Sequence, residues 1–161
     1  MQFICGLILA MIFQPAHVVP TSTYPMPNDS GVVEADWAVS QLYNTANFAP
    51  KAKLFSWYVG GLNYQVEHHL FPSICHIHYN KISKIVEQTA KEFQLMEYFL
   101  RNQEKVISKA EIAENIWEVE DEGSSNLIEV YVNYLRKKVD KGFPSKLIHT
   151  QFGMGYILRQ E

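Results

Sequence analysis

The chain has 161 residues, with 14 Lys and Arg against 17 Asp and Glu, for a formal charge of −3. With 47% hydrophobic and 13% aromatic residues it is not a disordered or low-complexity chain, and its length suits one domain or two small ones. There is no global basic field, so any nucleic-acid binding has to come from a local patch. Two cysteines, Cys5 and Cys75, provide no disulfide framework.

Phe3 to Phe13 is almost wholly apolar, but about half the roughly 20 residues needed to cross a bilayer. It lacks the basic flank and small-residue cleavage site of a signal peptide. Val18 to Val33 carries Pro20, Pro25, Pro27 and the Asn28-Asp29-Ser30-Gly31 turn cluster, so it reads as loop. Glu34 to Thr45 is expected to be helical, with Trp37, Gln41 and Thr45 four apart on one face. Pro50 to Tyr58 mixes Lys51 and Lys53 with Phe55, Trp57 and Tyr58, a composition suited to a membrane–water interface.

The densest chemistry lies in Gly60-Gly61-Leu62-Asn63-Tyr64-Gln65-Val66-Glu67-His68-His69-Leu70-Phe71-Pro72. On a helix Gln65 lies three and four residues before His68 and His69, which puts all three on one side. The adjacent imidazoles point about 100° apart, a splay better suited to serving two metal ions than to chelating one. A hydrogen-bonded or solvated His pair is the alternative. Cys75, His76 and His78 suggest a mononuclear zinc site as a minor alternative, although C-H-x-H is not a standard zinc spacing.

This segment resembles the third histidine box of membrane fatty-acid desaturases of the front-end or acyl-lipid type, in which Gln opens a Q-x-x-H-H box. The resemblance runs over residues 1–93 and includes Gln14-Pro15-Ala16-His17 and the Trp37…Gln41…Thr45…Asn47-Phe48 pattern. It implies a di-iron centre that activates dioxygen and desaturates an acyl chain, with a membrane lipid as substrate and an external electron donor. His68 and His69 would be iron ligands, Gln65 the leading box position, and His17 the lone His supplied between boxes. It also implies that Phe3–Phe13 is part of the family's last membrane helix. Neither H-x-x-x-H nor H-x-x-H-H occurs in the 161 residues, so the expected iron centre is incomplete.

Beyond Pro72, Lys81 to Phe93 is expected to be an amphipathic helix with Ile82, Ile85, Val86 and Phe93 on one stripe. Phe93, Met96 and Leu100 continue at helical spacing. No Pro or Gly interrupts Asn80 to Val106, so one helix is expected to run from about Lys81 into Leu100. Ser108-Lys109-Ala110-Glu111 is a capping box that opens a second helix with Ile112, Ala113, Ile116 and Trp117 on its apolar face. An acidic loop, 118–125, precedes a third helix from about Ser125 to Lys141. That helix carries a stripe of Ile128, Val132, Leu135 and Val139 and is stopped by Gly142. Leu147–Thr150 and Tyr156–Leu158 alternate like strands about a Gly153-Met154-Gly155 turn.

Three helices and a hairpin in this order define a winged helix-turn-helix. Residues 89–161 resemble the effector domain of OmpR/PhoB-type response regulators, on Leu95 to Asn102, Ser108 to Trp117, Val130 to Lys138 and Ile148-His149-Thr150…Gly153-Met154-Gly155-Tyr156. The resemblance implies a cytoplasmic transcription factor with a recognition helix in the DNA major groove and a wing against the minor groove. Glu129, Asn133 and Tyr134 would face base edges or nearby backbone. Tyr131, Arg136 and Lys137 would hold phosphates, and loop 118–125 would face RNA polymerase. The wing position that often holds Arg in this family is Phe152 here.

The expected fold is mainly α: a membrane-desaturase helical segment over residues 1–88, then a winged helix over 89–161. The two resemblances overlap at Thr89-Ala90-Lys91-Glu92-Phe93 with no linker between them. In the regulator pattern Thr89-x-x-Glu92 would open the first helix as a capping box. The overlap is what two reading frames joined at a short shared sequence would leave. Weak binding to duplex DNA is the activity expected of the chain. The alternative is a working part of an iron-dependent acyl desaturase, at a membrane, if the other histidine boxes are supplied.

Overall fold

A computed structural model describes residues 2–18, 23–24, 26–33, 36–117 and 125–160. It divides into two compact units, residues 1–86 and 87–161.

In the first unit, α1 (Gln2–His17) carries Pro15 near its end, and Ala16 is its one buried residue. Phe3, Ile4, Leu7 and Met11 are exposed along it. Among the described residues no helix is long and apolar enough to cross a membrane. The second helix, α2 (Trp37–Asn44), starts where the Asp36 carboxylate accepts the Ala38 amide at 2.9 Å. Glu34, where this helix was expected to begin, lies outside the described residues. The expected Trp37–Gln41–Thr45 face does not form. Trp37 is exposed, while Thr45 leaves the helix in extended conformation and is buried.

A short α3 (Lys53–Tyr58) exposes Leu54, Trp57 and Tyr58. The chain then reverses at Gly60 and Gly61, both at positive φ. At Gly61 a Cβ would sit 2.9 Å from the His76 Cβ, so the turn needs glycine for space as well as for conformation. It delivers α4 (Gln65–Leu70), the helix carrying the histidine pair. Asn47 fixes that helix from the side: its Oδ1 accepts the Val66 amide at 3.0 Å, and its Nδ2 donates to Glu67 at 2.7 Å.

One helix, α5 (Tyr79–Arg101), runs unbroken for 23 residues. Thr89 is therefore an interior helical residue and caps nothing, because in the unbroken helix the Glu92 amide it would accept already has the carbonyl four residues back. The expected apolar stripe is displaced. Ile85, Phe93 and Leu100 are exposed and Ile82, Val86 and Met96 are half-buried, while the buried positions are Tyr79, Glu92, Leu95 and Phe99. The spacing of three and four is kept but shifted by one residue. The cause is that a charged residue, Glu92, occupies a place on the inward face.

In the second unit, α6 (Lys109–Ile112) opens with a complete capping box. Ser108 Oγ accepts the Glu111 amide at 3.1 Å, and the Glu111 carboxylate accepts the Ser108 amide at 2.8 Å. It continues as one wider π-type turn, Ala113–Trp117. The acidic residues 118–124 lie outside the described residues. The third helix, α7 (Ser125–Val139), ends two residues before the expected Lys141. There the Asp140 carboxylate accepts the Leu147 amide at 2.9 Å and turns the chain toward the sheet.

Strands β1 (Ile148–Gln151) and β2 (Gly155–Leu158) pair antiparallel, with Ile148 opposite Leu158 and Gln151 opposite Gly155. Ile107 adds a bridge to Tyr156 through two hydrogen bonds of 2.8 and 2.9 Å. Leu95, Phe99, Ile107, Ile112, Ile116, Ile128, Val132, Leu135, Ile148 and Tyr156 form one core. Each fully buried large side chain is worth roughly 1.5–3 kcal/mol, so this cluster is what holds the three helices and hairpin together. The fold is a winged helix-turn-helix following a helical segment, and it is mainly α.

Candidate functional site

His17 at the end of α1 and His69 on α4 lie with ring centres 5.1 Å apart, and those of His68 and His69 are 5.9 Å apart. The two rings on α4 are tilted 81° to one another, as neighbours on a helix must be splayed. Each imidazole has its Nδ1 engaged: His17 with the Asn44 carbonyl at 3.5 Å, His69 with Gln41 Oε1 at 2.9 Å, His68 with the Tyr79 hydroxyl at 3.4 Å. Carbonyl and amide oxygens only accept, so these hydrogen bonds put a proton on Nδ1 of His17 and His69 and leave Nε2 as the nitrogen outside them. Metal-binding imidazoles are typically oriented in this way. Burial, then the neighbouring His17 and His68, lowers the pKa of His69 and favours the neutral ring. Burial, with the charges of Cys75 and Glu67, raises that of Tyr79 and keeps its phenol protonated.

Gln65 is buried, and its amide nitrogen donates to the Leu62 carbonyl at 2.6 Å, which ties it to the backbone turn preceding α4. Glu67 is equally buried and bound by Asn47. Among the described residues no group of three or more His, Cys, Asp or Glu could hold a metal ion, and this includes Cys75, His76 and His78. The residues present therefore do not by themselves fit the di-iron centre that the desaturase resemblance implies. Sequence reasoning names Gln41 in the desaturase pattern but does not pair Gln41, Asn44 or Tyr79 with an imidazole, since that pairing is set by tertiary approach.

The second candidate site lies on α7 and the hairpin. Glu129 and Asn133 are exposed, while Tyr134 is half-buried. Glu129 ion-pairs with Lys109 of α6, and the Lys109 ammonium is held charged chiefly by that hydrogen bond. Tyr131 stacks edge-on between Trp117 and Tyr134, and burial raises its pKa. Arg136 donates to the Ile148 carbonyl and the Thr150 hydroxyl, and lies 5.7 Å from the Tyr156 ring centre. Lys137 is exposed, with its ammonium 5.7 Å from the Tyr134 ring centre. The hairpin tip presents Phe152 at 94% exposure and Met154 at 64%. A groove of about 590 Å³ separates α7 from the hairpin, lined by Lys109, Glu129, Asn133, Arg136, Thr150 and Phe152 among others.

These two sites define a composite: a histidine-bearing helical segment followed by a winged helix of the DNA-binding type. Residues 1–101 match the family model "Fatty acid desaturase", and the chain belongs to that family. Residues 83–158 match "Transcriptional regulatory protein, C terminal", so the second part is similar to the C-terminal domain of transcriptional regulators. The first part is 47% identical over 94 residues to an acyl-lipid (8-3)-desaturase of Physcomitrium patens, covering 58% of this chain and 19% of that protein. The second is 42% identical over 74 residues to the probable transcriptional regulatory protein TcrX of Mycobacterium tuberculosis, covering 46% of this chain and 31% of that one. A solved structure titled as a streptococcal redox sensor evolved from two-component response regulators covers 44% of this chain and 31% of its own, at 28% identity and a TM-score of 0.39. The chain thus spans less than a third of each of these curated relatives.

Proposed function

We propose that this chain binds duplex DNA through its second unit, with α7 in the major groove and the β1–β2 hairpin beside the adjacent minor groove. The observation that carries the reading is the open groove whose walls come from α7 and the hairpin together. An exposed helix face beside an exposed hairpin tip is the arrangement by which winged helices engage two grooves at once. Base contact falls to Asn133, whose amide can pair with adenine in two bonds, and to Glu129 and Tyr134. Of the residues expected at phosphates, Lys137 is the exposed cation, whereas Arg136 is bound to Ile148 and Thr150 and Tyr131 packs between Trp117 and Tyr134. No Arg on the exposed face grips guanine, and acids outnumber bases in this half, so affinity rests on local phosphate contacts and is weak. RNA polymerase, through the acidic stretch 118–125, is a proposed partner in the cytoplasm.

The test is anisotropy of a labelled duplex titrated with the full chain across a salt series. Affinity falling linearly in log–log form as salt rises is expected. A folded chain with no affinity down to low ionic strength removes the reading.

A second reading is favoured by the three oriented imidazoles. His17, His68 and His69, with Gln65 at the leading box position, contribute part of an iron centre at a membrane, together with ligands from other histidine boxes. When bound, the iron pair would supply dioxygen activation for desaturating an acyl lipid, with electrons from an external donor. This chain's residues hold the rings of His17, His68 and His69 in place through Asn44, Tyr79 and Gln41. Cobalt(II) absorption that is lost in His69→Ala supports this reading, and identical spectra for the two proteins end it.

A further inference from the structure

In sequence, Arg136-Lys137-Lys138 is a run of three cations on the end of the recognition helix. In the structure two of them are used within the fold. The Arg136 guanidinium is held by the Ile148 carbonyl at 3.2 Å and the Thr150 hydroxyl at 2.7 Å. The Lys138 ammonium lies 2.5 Å from Oε2 of Glu92, a carboxylate with 3% exposure. Among the described residues, Lys137 alone in this run is held by no carboxylate, carbonyl or hydroxyl, and its ammonium lies 5.7 Å from the Tyr134 ring centre.

Two further lysines join it. Lys141 follows α7, Lys146 precedes β1, and both are exposed. With Lys137 they line an open groove of about 660 Å³ along the outer side of α7. Among the residues lining that groove the one carboxylate is Asp140, which already accepts the Leu147 amide. Asn133, Arg136 and Thr150 line both this groove and the one between α7 and the hairpin, so the two are contiguous.

We propose that Lys137, Lys141 and Lys146 form a phosphate-binding track for duplex nucleic acid, with Arg136 and Lys138 acting as structural cations. The proposal rests on the DNA-binding reading above and names the residues that supply its affinity. Three lysines lining one open groove suit the phosphates of a strand laid along it. Lysine serves here as a mobile point charge, which positions a backbone without reading its sequence.

The experiment compares salt slopes of duplex binding for the full chain and its variants, each checked by thermal melting. The double variant Lys141→Ala/Lys146→Ala is expected to lower the slope by about two, as each lost phosphate contact removes about 0.9. Lys138→Ala is expected to melt at lower temperature but keep the parent slope. Lys146→Glu, a surface change that leaves the core intact, is expected to weaken binding further than Lys146→Ala. If the parent chain binds with a salt slope that the double variant shares, the track is wrong while the DNA-binding reading stands. If the parent shows no salt-dependent binding, both fall together.

Discussion

Glu92 on α5 and Lys138 on α7 form an ion pair with Nζ and Oε2 at 2.5 Å, one partner buried and the other largely exposed. The remaining carboxylate oxygen of Glu92 accepts the Gln88 amide at 2.7 Å. Removing the ammonium would leave a buried charge with a single neutral partner. Lys138→Met is therefore expected to destabilise the second unit by about 1–3 kcal/mol. Adding Glu92→Leu to it should recover most of that loss, because two apolar groups leave nothing unpaired. Chemical denaturation of the two variants measures both numbers. A single variant as stable as the parent would show that the pair is only a surface contact.

The hairpin offers two glycines that differ in what surrounds them. Gly153 has φ +73 and open space about it, whereas at Gly155 φ is +145 and a Cβ would fall 2.0 Å from the Ile107 carbonyl oxygen. Gly153→Ala is expected to cost about 1 kcal/mol, the left-handed backbone penalty alone. Gly155→Ala should cost at least about 2 kcal/mol, since it breaks the Ile107–Tyr156 bridge as well as straining the turn. Equal losses for the two would contradict the close approach described here.

The capping box at Ser108 gives a pH dependence with a definite sign. Hydrogen bonds from the Ser108 amide and hydroxyl, then the charge of Lys105, hold the Glu111 carboxyl below the usual carboxylate range. A depressed folded-state pKa contributes stability above the unfolded value of about 4.3 and loses it as pH falls through the folded one. Glu111→Gln keeps the reciprocal hydrogen bonds but removes the titration. The melting temperatures of parent and variant should therefore converge in acid and separate toward neutral pH. Ser108→Ala should cost about 1 kcal/mol at neutral pH by losing the cap.

Much of this architecture was legible in the residues, and the misses have physical causes. The capping box at Ser108–Glu111 and the stripe Ile128, Val132, Leu135 are local patterns, and local patterns fix local structure. The unbroken α5 followed from the lack of any Pro or Gly across it. From Glu92 on, its inward face lies one residue from the hydropathy stripe because hydropathy sends a Glu outward, and Glu92 is inside with Lys138 of α7 and Gln88 as partners. Gln41 and His69 meet across a sequence separation of 28, which no spacing rule anticipates. The same limit applied to the basic run. Arg136, Lys137 and Lys138 look equivalent in sequence, and tertiary partners alone separate their roles.

The placement of α7 also separates two kinds of DNA-binding variant. On the proposed docking Asn133→Ala removes a base-reading amide, so it is expected to change preference among duplexes while leaving the salt slope nearly unaltered. Lys137→Ala should weaken all duplexes alike and flatten the slope by about one. Sequences selected from a random duplex pool, followed by a salt series on the winners, resolve the two. Identical behaviour of both variants would mean that Asn133 does not face the bases.

The central claim, that α7 occupies the major groove, is tested most directly by methylation protection of a bound duplex. Dimethyl sulfate modifies guanine N7 in the major groove and adenine N3 in the minor groove. Protection of N7 is expected over the few base pairs covered by α7, with protection of N3 confined to the flank beside the hairpin. Unprotected N7 positions in a duplex that is demonstrably bound by the folded chain would contradict it.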